Sequence, residues 1–190
     1  MGGHQVSRVA IYNLYWSTYG GAEQVSGAFA EFLRDGHEVT LLGPEKIDVA
    51  KSRDRLGLDL SGCGFAKAEN DDDASELSAG FDVFVNGTYR SRAVNRAARG
   101  IYYVHFPQPL DTPRQRVNQG VSRAASRTFS AVPGRLRSSS RFARIQKGFE
   151  RRVIDPSWTG SYTDYVANSE YTAHWTREIW GVSSTVVYPA

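Results

Sequence analysis

The chain has 190 residues, 41% hydrophobic and 23% charged, which is enough for one domain with a sizeable buried core and ordinary for a globular protein. Its formal net charge is only +3 but is unevenly spread: from Thr112 to Arg152 eleven Lys/Arg face one acid, Glu150, so the remainder is net acidic. A single cysteine, Cys63, excludes an internal disulfide framework and fits a reducing compartment, and no apolar run reaches the roughly 18 residues of a membrane-spanning helix.

In chain order, Arg8 to Asn13 reads as a buried strand of β-branched and aromatic residues. A glycine pair, Gly20-Gly21, then introduces a helical pattern from Ala22 in which Ala22, Val25, Ala28, Phe29, Phe32 and Leu33 share a face, with Gly36 placed as its C-terminal cap. "EVTLLG" is a second short strand, stopped by Gly43 and Pro44. Strand, helix and strand within about 35 residues predict a βαβ unit and a parallel sheet. From Glu45 to Gly80 the pattern is less regular: a helix in "DVAKSRDRLGL", a weak strand in "GFAKA" and a short acidic helix in "DDDASELSAG". "FDVFVNG" is a clear strand, and "GIYYVHFPQP" is another that runs into two prolines. Arg141 to Ile154 reads as helical, "TDYVANS" as a strand, "SEYTAHWTREIWG" as a helix capped by Ser169, and "STVVYPA" as a final strand. The expected fold is α/β, a Rossmann-like open parallel sheet flanked by helices, in one domain over residues 1–190.

In such sheets ligands bind beyond the carboxyl ends of the strands. The residues just after each strand therefore matter most: Gly20-Gly21, Asn86-Gly87-Thr88, His105-Phe106-Pro107 and Asn168-Ser169. Two glycines before a helix serve either a tight turn or an anion seated on the helix's N-terminal amides. They do not make the three-glycine dinucleotide fingerprint. His105 ends "IYYVH" on the ligand edge, where an imidazole can bond a sugar hydroxyl or move a proton near neutral pH. His37 belongs to the opposite edge and His174 to a helix. No metal site is expected: "NDDDASE" is acidic, but it reads as a solvated helix face away from the ligand edge.

The basic segment, 112–152, is read as a solvated arm or as a surface for anionic lipid or an acidic acceptor, with Val121, Ala124, Ala125, Phe129 and Val132 as a candidate apolar stripe. Its few aromatics, Phe129, Phe142 and Phe149, argue against nucleic acid as a partner. With no signal-peptide pattern at the N-terminus, the expected location is cytoplasmic, with a peripheral position at the inner membrane face left open.

"STYGGAEQVSGAFAEFLRDGHEVTLLG", "YYVHFPQP" and "DYVANSEYTAHWTREIWGVSSTVVYPA" together resemble the N-terminal domain of retaining, nucleotide-sugar-dependent glycosyltransferases of the GT-B fold, family 4 type. Asp111 to Ser140 is the least matched stretch. The resemblance implies that Gly20 and Gly21 lie beside the donor diphosphate and that His105, the candidate catalytic residue, lies near the transferred sugar. Asn86, Gly87, Thr88, Ser169 and Tyr171 would line the acceptor side. It implies no cofactor and no metal, a nucleotide-diphosphate sugar as co-substrate, and a glycan, lipid-linked or small-molecule acceptor. The family's nucleotide site lies mainly in a second Rossmann-like domain with an E-x7-E motif. The pair with that spacing here, Glu170 and Glu178, falls on the helix after Ser169 and is taken as coincidence. The chain thus reads as the acceptor-binding half of a transferase, partnered by its own C-terminal domain and inactive alone. The alternative is a non-catalytic α/β module that binds a phosphorylated ligand or partner. A nicotinamide oxidoreductase ranks lower, because the second strand ends in Gly43-Pro44 with Glu45 only beyond them.

Overall fold

A computed structural model describes residues 6–109 and 156–189. The chain divides into two compact units, Met1–Gln108 with Trp158–Ala190, and Pro109–Ser157; the sheet belongs to the first. The helix expected over Arg141 to Ile154, the apolar stripe from Val121 to Val132 and the basic segment's contacts lie outside the described residues.

The apolar runs form seven strands: β1 (Arg8–Tyr12), β2 (Glu38–Gly43), β3 (Gly64–Lys67), β4 (Val83–Asn86), β5 (Arg99–Val104), β6 (Asp164–Ala167) and β7 (Thr185–Val186). Every pairing is parallel, and the order is β3-β2-β1-β4-β5-β6-β7. This is a Rossmann-like open sheet flanked by helices: α1 (Gly21–Leu33), α2 (Val49–Leu56), α3 (Asp71–Ser78) and α4 (Glu170–Trp180). The chain winds outward from β1 through β2 and β3, then crosses back to β4 on the other side of β1. The reversal puts the topological switch point between β1 and β4, where such sheets open a crevice.

Parallel strands need cover on both faces, and successive side chains of each strand serve opposite ones. One face packs Val9, Ile11, Val39, Leu41, Leu60 and Val85 with Trp16 and Ala30. The other is aromatic. Tyr102 meets Trp158 at 5.0 Å, Tyr162 at 5.1 Å and Trp180 at 5.6 Å, and Phe84 stacks between Tyr12 and Tyr162. Among the described residues the indole N–H of Trp158 has no hydrogen-bond acceptor; the Trp158 and Trp180 rings meet edge to face at 5.1 Å.

Two details of α1 differ from the sequence reading. Its buried residues are Glu23, Ser26, Gly27 and Ala30. Phe29 and Leu33 are only partly buried against the core, and Phe32 is 79% exposed. Small residues face the sheet because the strands' own branched side chains already fill the interface, so the helix backbone comes close. Gly36 is not a left-handed cap: α1 closes through Arg34 in right-handed conformation, and the His37 N–H still donates to Leu33 O. Gly57 and Gly181 take the left-handed role, ending α2 and α4. The expected cap Ser169 does start α4, its Oγ accepting the Thr172 N–H.

The acidic helix α3 is more than a solvated face. It follows β3, so its first turn reaches the carboxyl edge of the sheet. There Asp71 accepts the hydroxyls of Tyr12 (3.1 Å) and Ser91 (2.7 Å) and the Arg92 N–H (2.7 Å). The Ser75 and Ser78 hydroxyls accept the Val94 and Arg96 amides. The helix-free connection from β4 to β5 is thus held to α3 by side chains, which satisfies amides that no secondary structure would pair.

Candidate functional site

Because all strands run the same way, the segments following β1, β4, β5 and β6 leave from one edge, and these four strands are neighbours. The segment after β1 is longer than a tight turn. Asn13 is fully buried; its side chain donates to Ser26 Oγ on α1 (3.0 Å) and accepts the Tyr15 N–H (2.9 Å). A 3-10 turn, Trp16–Thr18, follows, and its indole donates to Leu42 O.

The left-handed position before α1 is held by Tyr19 (φ 52°), not by a glycine. Gly20 has an ordinary extended backbone. Its missing Cβ has a different use, since one placed there would lie 2.9 Å from Glu23 Oε2. That carboxylate folds back over the turn and accepts the Gly20 N–H (2.7 Å) and the Thr18 hydroxyl (2.7 Å). Part of the positive end of the helix is therefore answered by the chain's own acid. The amides of Gly21, Ala22 and Glu23 have no partner among the described residues, and a Cβ on Gly21 would meet nothing within 4 Å. An anion can reach Gly21 but shares the turn with Glu23.

The segment after β4 forms the floor. Asn86 is fully buried: its amide donates to Ser91 Oγ (2.8 Å) and Tyr162 OH (2.9 Å), and its carbonyl accepts the Thr88 N–H (3.1 Å). Thr88 is buried too, accepting the Leu14 N–H and donating to Tyr12 O. Both side chains are spent inside the fold and do not face the crevice. Gly87 is needed for close approach: a Cβ there would lie 2.2 Å from Ser26 Oγ. Its carbonyl points the other way, to His105.

His105 stands one residue beyond β5. Its Nε2 lies 2.9 Å from Gly87 O, and since a carbonyl only accepts, Nε2 carries the proton. Its own carbonyl accepts Asn168 Nδ2 (3.0 Å) and the Thr172 hydroxyl (3.5 Å). The ring packs edge-on against Tyr103 (4.9 Å) and Tyr89 (6.2 Å). Burial pushes its pKa below the ordinary imidazole value, against weaker opposing effects of the Gly87 carbonyl and the Glu23 carboxylate. At neutral pH the ring is therefore uncharged, with Nδ1 as a lone-pair acceptor that no described residue occupies. Among the described residues, the buried hydroxyl of the neighbouring Tyr103 has no hydrogen-bond partner.

The remaining expected residues lie on the β6 side. Ser169 is engaged in capping, its Oγ donating to Asn168 Oδ1 while it accepts the Thr172 N–H. Tyr171 is 65% exposed and stacks on Phe106, with ring centroids at 6.2 Å. The site residues that sequence reasoning missed are Glu23, Asp71, Arg90 and Trp175. Glu23 stands three residues past the cap position, a spacing that signals a side chain folding back on the turn. Arg90 had no such signal. It adopts φ 62° and its guanidinium lies 5.1 Å from the Tyr89 ring centroid, so the two non-glycine left-handed residues of the described chain, Tyr19 and Arg90, follow the two strands that flank the switch point. Each costs about 1–2 kcal/mol in backbone energy, which the surrounding contacts must offset.

His37 lies at the amino edge, where its Nδ1 accepts the Ser7 N–H (3.2 Å). Among the described residues no group of three or more His, Cys, Asp or Glu is placed to hold a metal ion, and no helix is long and apolar enough to cross a membrane. No family model, curated protein or solved structure matches the chain.

Proposed function

We propose that this chain is the acceptor-side domain, the N-terminal half of a GT-B architecture, of a retaining glycosyltransferase that moves a sugar from a nucleotide donor to a glycan, lipid-linked or small-molecule acceptor. The observation that carries the reading is the presence of two unlike groups on one edge of the sheet, on either side of β4. On one side are the open amides at the start of α1, on the other a neutral His105 tied to β4, β6 and α4. Cleavage of a sugar–diphosphate bond builds negative charge on the leaving group, and fixed N–H dipoles stabilise it without a metal. The His105 Nδ1 lone pair accepts a hydrogen bond from a hydroxyl of the sugar, which orients the ring for attack. The nucleotide contacts would come from a second Rossmann-like domain, and the 112–152 segment would supply any contact with anionic membrane.

The test is turnover by the full-length protein across a panel of nucleotide sugars, with His105→Ala beside it. Transfer without added metal, lowered at least about 100-fold by the substitution, is the expected result. Transfer that His105→Ala leaves unchanged refutes the role of His105. No transfer from any donor, with phosphate esters still binding, favours the non-catalytic module, because the open amides of α1 need no His105 to hold an anion.

A further inference from the structure

Three exposed rings continue the edge on the far side of His105. Phe106 is 40% exposed, Tyr171 65% and Trp175 38%. Phe106 and Tyr171 are nearly parallel, at 23°, and Trp175 stands at 68° to Tyr171 with centroids 6.4 Å apart. Tyr171 thus stacks on Phe106, and Trp175 stands upright beside Tyr171, so the three rings make one exposed aromatic ridge. The corner is held from beneath. The residue before Phe106 is fixed through its carbonyl by Asn168 and Thr172, the residue after it is a buried proline, and the Ser169 cap fixes the turn that carries Tyr171. Rings ordered this firmly and left in water mark a binding surface.

We infer that this corner is a sugar subsite, taking a neutral pyranose ring of the acceptor with its C–H face on the exposed side of the Tyr171 ring and its edge against Trp175, while Phe106 backs Tyr171 from the other side. The role of acceptor rests on the transferase reading; the affinity for a sugar does not. Charge and polarity argue for this occupant. Tyr171, Trp175 and Glu178 lie at i, i+4 and i+7, on one face of α4, while Arg177 lies about 120° away around the helix. The group that ends the strip is thus an acid, which repels phosphate and accepts hydroxyl hydrogens. An aliphatic chain laid there would strip water from that carboxylate and from the polar ends of Tyr171 and Trp175 without replacing it. A sugar has apolar faces and hydroxyl edges, which match rings with polar rims. Anions are served instead on the β1 side, by the open amides at the start of α1.

Trp16, Trp158 and Trp180 are buried, so quenching of tryptophan emission by acrylamide in the intact chain reports on Trp175. The probes are methyl pyranosides and disaccharides of glucose, galactose and mannose, inorganic phosphate, and phosphatidylcholine vesicles. At least one sugar should protect Trp175 saturably, and phosphate and vesicles should not. Phe106→Ala and Tyr171→Ala, each at an exposed position and checked for an unchanged melting temperature, should weaken that sugar about 10-fold, or about 1.4 kcal/mol. No protection by any sugar, protection by vesicles or phosphate instead, or sugar affinity unmoved by both substitutions overturns the inference. Sugar binding without transfer by the full-length protein keeps the subsite and removes the transferase. Transfer with an acceptor KM insensitive to both substitutions does the reverse.

Discussion

Gly87 is where the crevice floor is most tightly specified, and Gly87→Ala tests it directly. The added Cβ would sit 2.2 Å from Ser26 Oγ, well inside contact distance, and 3.3 Å from Ser26 Cβ. Ser26 cannot simply rotate away, because its hydroxyl accepts from Asn13 Nδ2 and donates to Ala22 O. Relieving the clash costs those two bonds, at about 1 kcal/mol each, or a backbone shift of about 1–3 kcal/mol. The narrower unfolded ensemble of alanine returns about 0.4–1 kcal/mol, leaving a net loss of about 1–2 kcal/mol. For a chain of this size that is a fall of about 2–8 °C in melting temperature, measured by scanning calorimetry. Ser26→Ala removes the clashing oxygen, so Gly87→Ala should cost less than about 1 kcal/mol in that background, a coupling that the double-mutant cycle reads. Since Gly87 O is the acceptor for His105 Nε2, the His105 ring signals should also shift in the NMR spectrum. A Gly87→Ala protein that melts with the parent, or a penalty unchanged by Ser26→Ala, refutes the close-approach argument.

The pH dependence has a definite sign. With the His105 pKa lowered by burial, the folded chain binds fewer protons than the unfolded one between the two values, so its contribution is full above about pH 6.5 and declines as the pH falls from there. An NMR titration should place the His105 midpoint below 6.5, and His105→Ala should flatten that part of the stability profile; a midpoint at or above the ordinary value sinks the assignment of a neutral ring. Asp59 acts in a more acidic window. The Ser61 hydrogen bonds, then Arg34, hold its carboxyl well below the usual carboxylate range, so its contribution persists above about pH 4 and is lost below. Asn86→Ala should cost about 2–4 kcal/mol in urea unfolding, because it removes three buried hydrogen bonds, and Thr88→Val about 1–2 kcal/mol. Parent-like stability in both would show that these side chains are not spent inside the fold.

The sequence by itself determined the strands, the alternation with helices and hence the parallel sheet, because apolar period and glycine or proline punctuation are local signals. From that sheet follows the shared edge after β1, β4, β5 and β6, and so the region in which His105 and Gly21 stand. Only the tertiary structure decided which polar residues of that region remain available. Asn86 meets Tyr162 across 76 positions, and Tyr12 meets Asp71 across 59, separations over which no local pattern carries information. Asn86 and Thr88 were therefore legible as edge residues but not as buried ones, and Asp71 looked like one more surface acid. The packed face of α1 was hidden for a related reason. A helical period marks where apolar side chains gather, whereas contact with a sheet already filled by its own branched residues goes to the side with the smallest ones, Ser26, Gly27 and Ala30.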